Sequence, residues 1–416
     1  MDSYMEKPGK RMRSNDKVED DDGSSSRATG MELLPPDILV DILSRLPITS
    51  LMQFKFVCRA WNSLAHDPLL LQTQLSSKPS RNPCLILHCD SPLRTQLYFV
   101  DLSVPDYHDE KVKRFNTPFQ AAMPEFNVVG SCYGLLCLSD LFFNDPIYIY
   151  NPFTSDYIKL PESANYHDQE VVFGFGFHPV TKQYKVVKIV YYRNGHQRSR
   201  RVFYPQSEVQ IFTLGTSAWR TLGKVPHRLV RSPSEALING RLHWVTRPRR
   251  YHPARRIISF DLADEQFREV PKPDSGGLNR CNFHPAVIRE CLAAAVYGSY
   301  GKMEVWVMKE YNVKESWMKQ FSIGAYMPKR LKQNLERPFK NWKNAVKGSP
   351  VRILCELENS EILLEYKNRV VVSYDPNRDK FRDVMFQGIP SFFSSVVHVA
   401  GFNWIDKSGD ASCAET

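Results

Sequence analysis

Three absences narrow what this 416-residue chain can be. It has no apolar run of about 18 residues, so no segment reads as a membrane-spanning helix. Its N-terminus has no apolar stretch of the secretory kind. These two absences lead us to expect a soluble, intracellular protein, cytoplasmic or nuclear, with no membrane partner. Clustered cysteines are the third absence. The nine that occur, at 58, 84, 89, 132, 137, 281, 291, 355 and 413, are an odd and scattered set, which suits buried free thiols in a reducing compartment. Cys84/Cys89 and Cys132/Cys137 are each five apart; if each pair lies on one strand, its two sulfurs face opposite ways and share no metal. We expect neither metal nor cofactor.

Catalytic signatures are missing too. GxxxxGK[ST], HExxH and GxSxG do not occur. Gly174 and Gly176 lack the third glycine and the following helix of a dinucleotide loop, and read as strand or turn glycines. His178-Pro179 and His284-Pro285 read as turns. Asp261, Asp264 and Glu265 fall in a turn between strands, where acids are ordinary. The expectation is a non-catalytic protein, with a propeller hydrolase as the enzymatic alternative.

Charge is abundant, at 55 Lys and Arg against 45 Asp and Glu, but uneven. Residues 1–30 hold 6 against 7 and residues 31–76 hold 3 against 4, leaving 46 against 34 in the remainder. A basic body attracts acidic proteins or nucleic acid. Neither a recognition helix nor aromatic–basic interleaving accompanies the charge, so a nucleic-acid partner is not expected.

Residues 1–30, with KPGKRMR and EDDDGSSS, hold almost no large aliphatic side chains and read as a disordered tail; Lys10, Arg11 and Arg13 form a weak import-like run. Residues 406–416 read as a second tail. The texture changes at Leu33. Pro36 suits a first helical position, with Asp37 at the positive end of the dipole. Ile38, Leu39, Ile42, Leu43 and Leu46 recur at helical spacing until Pro47 ends the run. Ser50 and Gln53 read as a capping box opening a second helix through Phe54 and Val57. Cys58, Trp61 and Leu64 continue a third helical face, and Asp67-Pro68 starts a last short helix through Leu75. Between Leu33 and Leu64, 18 of 32 residues are apolar. A bundle of roughly 45 residues cannot hide that by itself, so part must pack against something else: a partner, or the body downstream.

This segment resembles the F-box, whose pattern is a Leu-Pro start, an aliphatic first helix ending near a second Leu-Pro, and a later Val-Cys-x-x-Trp. Leu34-Pro35, Ile38, Leu39, Ile42, Leu43, Leu46-Pro47, Leu51, Phe54, Val57-Cys58 and Trp61 carry the resemblance. It implies that these residues, within a helical unit over 31–77, dock a Skp-type adaptor and through it a cullin.

Past Lys78 short alternating strands divided by Pro, Asn, Asp and Gly take over. Two half-units recur. One is a turn-flanked apolar strand, as in GSCYGLLCL (130–138), ALINGRLHWV (236–245) and SEILLE (360–365). The other is strand, turn and aromatic, as in YIYNPFTSDYIKLP (148–161), VQIFTLGTSAWRTL (209–222), IISFDLADEQFREVP (257–271), MEVWVMKEYNVKESWMKQF (303–321) and VVVSYDPNRDKFRDV (370–384). Their aromatics, Tyr157, Trp219, Phe267, Trp317 and Phe381, are 62, 48, 50 and 64 apart. Periods near 50 with about four strands per unit predict propeller blades. We count about six, with 392–404 completing a blade shared with the first, and a stacked β-sandwich as the other architecture. The fold class is thus α + β: a small N-terminal helical unit, then an all-β propeller-like domain over 80–405. The basic stretch 328–345 reads as an insertion between strands.

The same pieces, with FGFGFHPVTKQYKVVKIV and EILLEYKNRVVVSYDP, resemble in this order the F-box-associated interaction domain of plant F-box proteins. The resemblance implies the substrate-recognition subunit of a Skp–cullin–F-box (SCF) ubiquitin ligase, its β domain binding the target for ubiquitination and degradation. A non-degradative scaffold held by the adaptor is the other function. Arginines interrupt two strand patterns: Arg193, Arg198, Arg200 and Arg201, then Arg247, Arg249, Arg250, Arg255 and Arg256. We expect them on loops, with Arg198, Arg200, Arg201, Arg249, Arg250 and Arg255 meeting an acidic or phosphorylated target, because guanidinium pairs bidentately with carboxylate and phosphate.

Overall fold

In the computed structural model the described residues are 35–44, 57, 84–91, 94–102, 112–192, 206–232, 234, 236–248, 254–273, 283–298, 302–333, 351–366, 369–386, 388–390 and 392–399. They form 24 strands in six four-stranded sheets. Blade 1 contains β1 (Cys84–Ser91), β2 (Arg94–Asp101) and β3 (Val112–Arg114). Blade 2 is β4 (Phe126–Cys132), β5 (Leu135–Asp140), β6 (Ile147–Tyr150) and β7 (Tyr157–Lys159). Blade 3 is β8 (Glu170–His178), β9 (Gln183–Tyr192), β10 (Gln206–Thr213) and β11 (Arg220–Gly223). Blade 4 is β12 (Ala236–Ile238), β13 (Arg241–Val245), β14 (Ile257–Asp261) and β15 (Phe267–Val270). Blade 5 is β16 (Phe283–Ile288), β17 (Cys291–Tyr297), β18 (Met303–Met308) and β19 (Trp317–Ile323). Blade 6 is β20 (Val351–Glu356), β21 (Ile362–Tyr366), β22 (Val370–Asp375) and β23 (Lys380–Val384).

Every blade is an antiparallel meander, and blade 1 is closed by the far end of the chain. β24 (Ser394–His398) pairs with β1 in the register Cys84↔His398 to His88↔Ser394, giving the order β24-β1-β2-β3. The inner strands of successive blades touch in turn around the ring, β24 to β4, β4 to β8, β8 to β13, β12 to β16, β16 to β20 and β20 back to β24. A single twisted blade leaves both faces wet, whereas a closed ring buries each face against a neighbour.

Alternation along the strands feeds six cores, one per blade interface. On β1, Cys84 and Ile86 join the core shared with blade 2, while Leu85, Leu87 and Cys89 join the core shared with blade 6. On β22, Val370, Val372 and Tyr374 face blade 5, and Val371 faces blade 1. This period-two division shows a strand buried on both sides. The approach of inner strands is close: a Cβ at Gly130 would sit 2.5 Å from the Cβ of Phe175, and one at Gly174 would sit 2.6 Å from the Trp244 ring. Gly174 is thus a strand glycine at a blade interface.

The aromatic half-units are the outer hairpins of blades 2 to 6. In blades 2, 4 and 6 the third strand ends in Asn151, Asp261 or Asp375, whose Oδ1 accepts the next turn's N–H groups: Phe153 at 2.9 Å, Ala263 at 2.8 Å and Asn377 at 2.9 Å. Four residues on, Ser155, Glu265 and Asp379 take positive φ of 65°, 58° and 51°. Six residues on come Tyr157, Phe267 and Phe381, packing back on the third strand. The Asx turn and left-handed residue are local chemistry the sequence can encode.

Two readings need correction. His284-Pro285 is not a turn but part of β16, where Pro285 faces Ala294 of β17. An innermost strand is an edge with one side on the central channel, so a residue without an N–H costs the ladder nothing there. Cys132 and Cys137 do not lie on one strand: the turn at Tyr133-Gly134, with φ of 39° and 82°, separates them, and both enter the core between blades 2 and 3. Burial pushes both thiols far above the ordinary range.

Ahead of the ring stands α1 (Pro36–Ser44), with Pro36 first and Pro35 O accepting from Ile38 N at 3.1 Å and Leu39 N at 3.2 Å. A second helix, α2 (Lys329–Gln333), follows β19 in the β19–β20 connection that carries the basic stretch.

Candidate functional site

The molecule presents two surfaces built for contact. On α1, Val40 and Leu43 are buried, whereas Ile38 and Ile42, one turn apart, are 48% and 45% exposed. Leu39 lies at the border, half-buried, and Pro35 is exposed. The helix is therefore apolar on two faces and uses one internally, as its composition demanded. Leu43 belongs to the inward face. Val57 is exposed at 62%. Leu34, Leu46, Pro47, Leu51, Phe54, Cys58 and Trp61 lie outside the described residues, with the helices expected over 50–75.

The second surface is one end of the ring. In a meander blade, connections between the second and third strands, and from each blade to the next, leave from the same end. That end carries 141–146, 160–169, 224–235, 246–256, 298–302 and 385–393. The other end carries tight turns, including Asn239-Gly240 with φ of 49° and 71° and Arg289-Glu290 with φ of 50° and 59°. The chain enters β1 at that tight-turn end, because Cys84 pairs with the last residue of β24. The first strand of the chain, β1, therefore starts at the end away from the long connections.

In the sequence both arginine groups lie between the second and third strands of adjacent blades. Arg198, Arg200 and Arg201, between β9 and β10, and Arg249 and Arg250, between β13 and β14, lie outside the described residues, as does Arg193. Among described members, Arg247 and Arg228 both grip Glu170 at the start of β8, Arg228 Nη2 at 3.0 Å. Arg256 pairs with Glu269 at 2.9 Å. These pairs occupy Arg247 and Arg256 within the fold. Arg255 is half-buried, and burial pulls its guanidinium below its usual range; no ion pair with a described residue engages it.

A central cavity of about 1300 Å³ runs between the inner strands. At the long-connection end it is lined by Asn144, Arg231, Ser232, Arg352 and Phe392, and at the tight-turn end by Arg289, Glu290, Glu356 and Glu358. Every lining carboxylate is at the tight-turn end, where Arg289 neutralises Glu356 through Nε at 2.9 Å and Nη2 at 2.6 Å. Arg352 pairs with buried Glu365 at 2.6 Å, and Glu365 also accepts the Ser395 N–H at 2.9 Å, tying β21 to the closing strand. The long-connection mouth is the more positive one.

Sequence reasoning missed the exposed aromatics on the long-connection end. Phe142 and Phe143, in the β5–β6 connection, are 67% and 74% exposed, and Phe392 is 55% exposed. Two consecutive phenylalanines between Asp140 and Asn144, inside a turn, were the available signal. Among the described residues, no three His, Cys, Asp or Glu side chains gather as metal ligands. His178 caps its turn by accepting the Thr181 N–H at 3.1 Å. Asp264 pairs with Arg268 within the outer hairpin of blade 4, and Glu265 pairs with Lys185 at 2.7 Å and Arg220 at 2.6 Å, joining blade 4 to blade 3.

A six-bladed ring with one elaborated face, preceded by a helix with a spare apolar face, defines a two-ended interaction protein. Residues 84–407 match the F-box associated beta propeller domain and residues 31–76 the F-box-like domain. The chain belongs to the family of F-box proteins that carry this associated propeller. It is 55% identical over 408 residues to the Arabidopsis thaliana F-box protein At3g07870, covering 95% of this chain and 97% of that one. The A. thaliana F-box protein CPR1 is 28% identical over 394 residues, covering 89% and 88%. Among solved structures, an oligogalacturonate lyase from Vibrio parahaemolyticus superposes at a TM-score of 0.40 and 9% identity, covering 74% and 75%.

Proposed function

We propose that the protein is the substrate-recognition subunit of an SCF-type ubiquitin ligase, with residues 31–77 docking a Skp-type adaptor and 80–405 holding the target. The observation that carries this reading is the pair Ile38 and Ile42, exposed together on a helix already packed through Val40 and Leu43, within a segment that matches the F-box. Burying each isoleucine in a partner returns about 1.5–3 kcal/mol gross, less the costs of association. Leu34, Pro35, Leu39, Leu46, Pro47, Leu51, Phe54, Val57, Cys58 and Trp61 complete the surface or its support. The receptor acts by proximity, raising the target's effective concentration near a charged conjugating enzyme, and it supplies no nucleophile.

β1 starts at the tight-turn end, and we take the long-connection end as the face that meets the target. Arg198, Arg200, Arg201, Arg249, Arg250 and Arg255 would meet acidic or phosphorylated groups on it. The test is turnover of whatever the ring captures in cells. Captured proteins are expected to accumulate when the proteasome is inhibited, and to accumulate equally when Ile38→Asp/Ile42→Asp uncouples the handle. Capture with unchanged turnover in both arms would favour the scaffold.

A further inference from the structure

The β5–β6 connection holds two phenylalanine rings in solvent side by side, edge to face with centroids 6.5 Å apart. They are not on a slack loop. Asp140 Oδ1 accepts the N–H of Phe142 at 2.9 Å and of Phe143 at 2.7 Å. On the other side Asp145 accepts from Lys188 Nζ at 2.9 Å and from Ser163 Oγ at 2.6 Å. Between them Asn144 takes φ +64° and lines the cavity mouth. A backbone held on both flanks loses little conformational freedom on meeting a partner, which favours binding.

Phe392 lines the same mouth from the blade 6 to blade 1 connection. The Arg369 guanidinium lies 3.7 Å from its ring centroid, within cation–π range, so Phe392 too is held and bears positive charge beside it. Arg231 lines the mouth as well, exposed and without an ionic partner among the described residues. No described carboxylate lines this end of the cavity; Glu290, Glu356 and Glu358 are all at the other. An exposed aromatic, Phe392, and Arg231 thus share a concave opening, with Phe142 and Phe143 exposed on the same end of the ring next to the lining residue Asn144; aromatic and arginine side chains are enriched at interface centres.

We propose that this mouth binds a linear anionic segment of the target in which Asp, Glu or a phosphorylated residue lies beside an aromatic or aliphatic one. The apolar side chain packs against Phe392, the flanking part of the segment meets Phe142 and Phe143 on the same end of the ring, and Arg231 meets the anionic group. The proposal rests on the reading of the ring as the target-binding part, and it deepens that reading by naming the ligand class and the residues.

The probe is a displayed library of random linear peptides, panned on the full chain held by its adaptor. Sequences pairing an acidic with an apolar residue are expected to be enriched. Phe142→Ser/Phe143→Ser and Arg231→Glu should each reduce their retention by at least about tenfold, a change of roughly 1.4 kcal/mol, with the thermal transition unmoved. Synthetic versions carrying glutamate or phosphoserine then separate the two sources of charge. No enrichment, enrichment without the acidic–apolar signature, or equal retention by the variants overturns the proposal. The receptor reading is checked apart from it: if both variants capture the same cellular proteins as wild type, the mouth is wrong and the receptor stands; if wild type captures nothing that is turned over, the receptor reading fails.

Discussion

Cys84 and His398, 314 positions apart, face each other across β1 and β24, and the Cys84 thiol donates to the His398 carbonyl oxygen at 3.1 Å. The whole ring hangs on this junction of its two ends. β24 contributes Val397 to the packing between blades 6 and 1, and the neighbouring Phe393 is buried there. A chain ended after residue 390 therefore leaves the Glu365 carboxylate without the Ser395 N–H and opens two interfaces. It should lose the cooperative thermal transition and bind a hydrophobic dye. An unchanged transition would show that the junction is dispensable.

Three histidines shielded from water, His243, His284 and His398, set a direction for pH dependence. Burial pulls His243 down to about 4 and His284 and His398 down to about 3, against about 6.5 in an unfolded chain. The folded state keeps them neutral while the unfolded state takes up protons below about pH 6.5, so stability falls as pH drops from there toward the folded values. Each fully titrating group contributes up to roughly 1.4 kcal/mol per pH unit. Denaturant midpoints between neutral pH and about pH 4.5 should show this acid limb. His398→Gln, which can keep a polar contact to Ser131 Oγ, should make it shallower by about one proton.

Lys188 is fully buried between blades 2 and 3, its Nζ reaching Asp145, Ser163 and Asn165 at 2.9, 2.5 and 3.0 Å. Removing one partner of a buried pair strands the other, at about 3–5 kcal/mol. Lys188→Met should lose about that much by denaturant unfolding, and adding Asp145→Asn should restore part of it. Additive losses would contradict the pairing.

The outer-hairpin turns give a milder test. Asn151 Oδ1 accepts the N–H of Phe153 at 2.9 Å and of Thr154 at 3.3 Å, so Asn151→Ala should cost about 1–3 kcal/mol. In blade 5 both turn residues, Arg289 and Glu290, have positive φ without being glycine. Glu290→Gly relieves one such position, and a gain of up to about 1 kcal/mol is expected. Chemical unfolding of the two variants measures both.

What was legible in the chain follows from which signals are local. The Asx residue, the left-handed turn and the aromatic six positions later are written contiguously at 151–157, 261–267 and 375–381, so the outer hairpins and their period could be read. Blade counting leads to the expectation that 392–404 complete the first blade, and β24 does pair with β1; the register of that pairing needs contact across the whole chain and was not legible. Pro285 argued for a turn because proline is foreign to central strands, yet an inner propeller strand is an edge. At the long-connection end, arginine density could not show that Arg247 and Arg256 serve Glu170 and Glu269. Phe142 and Phe143 were passed over because phenylalanine in a β-rich chain is usually core, and exposure is decided by tertiary structure. On α1 the excess of apolar residues was plain, whereas its division into Val40/Leu43 and Ile38/Ile42 required the fold.

The central claim is that the helical segment is a handle for a Skp-type adaptor. The direct measurement is the dissociation constant of the purified full chain for the adaptor, wild type against Ile38→Asp/Ile42→Asp, with the thermal transition of the ring recorded for both. The account predicts stable wild-type binding, a loss of at least about a hundredfold in the variant, equivalent to roughly 2.7 kcal/mol, and an unchanged ring transition. Equal affinity of the two proteins for the adaptor, or no binding by wild type, would contradict it.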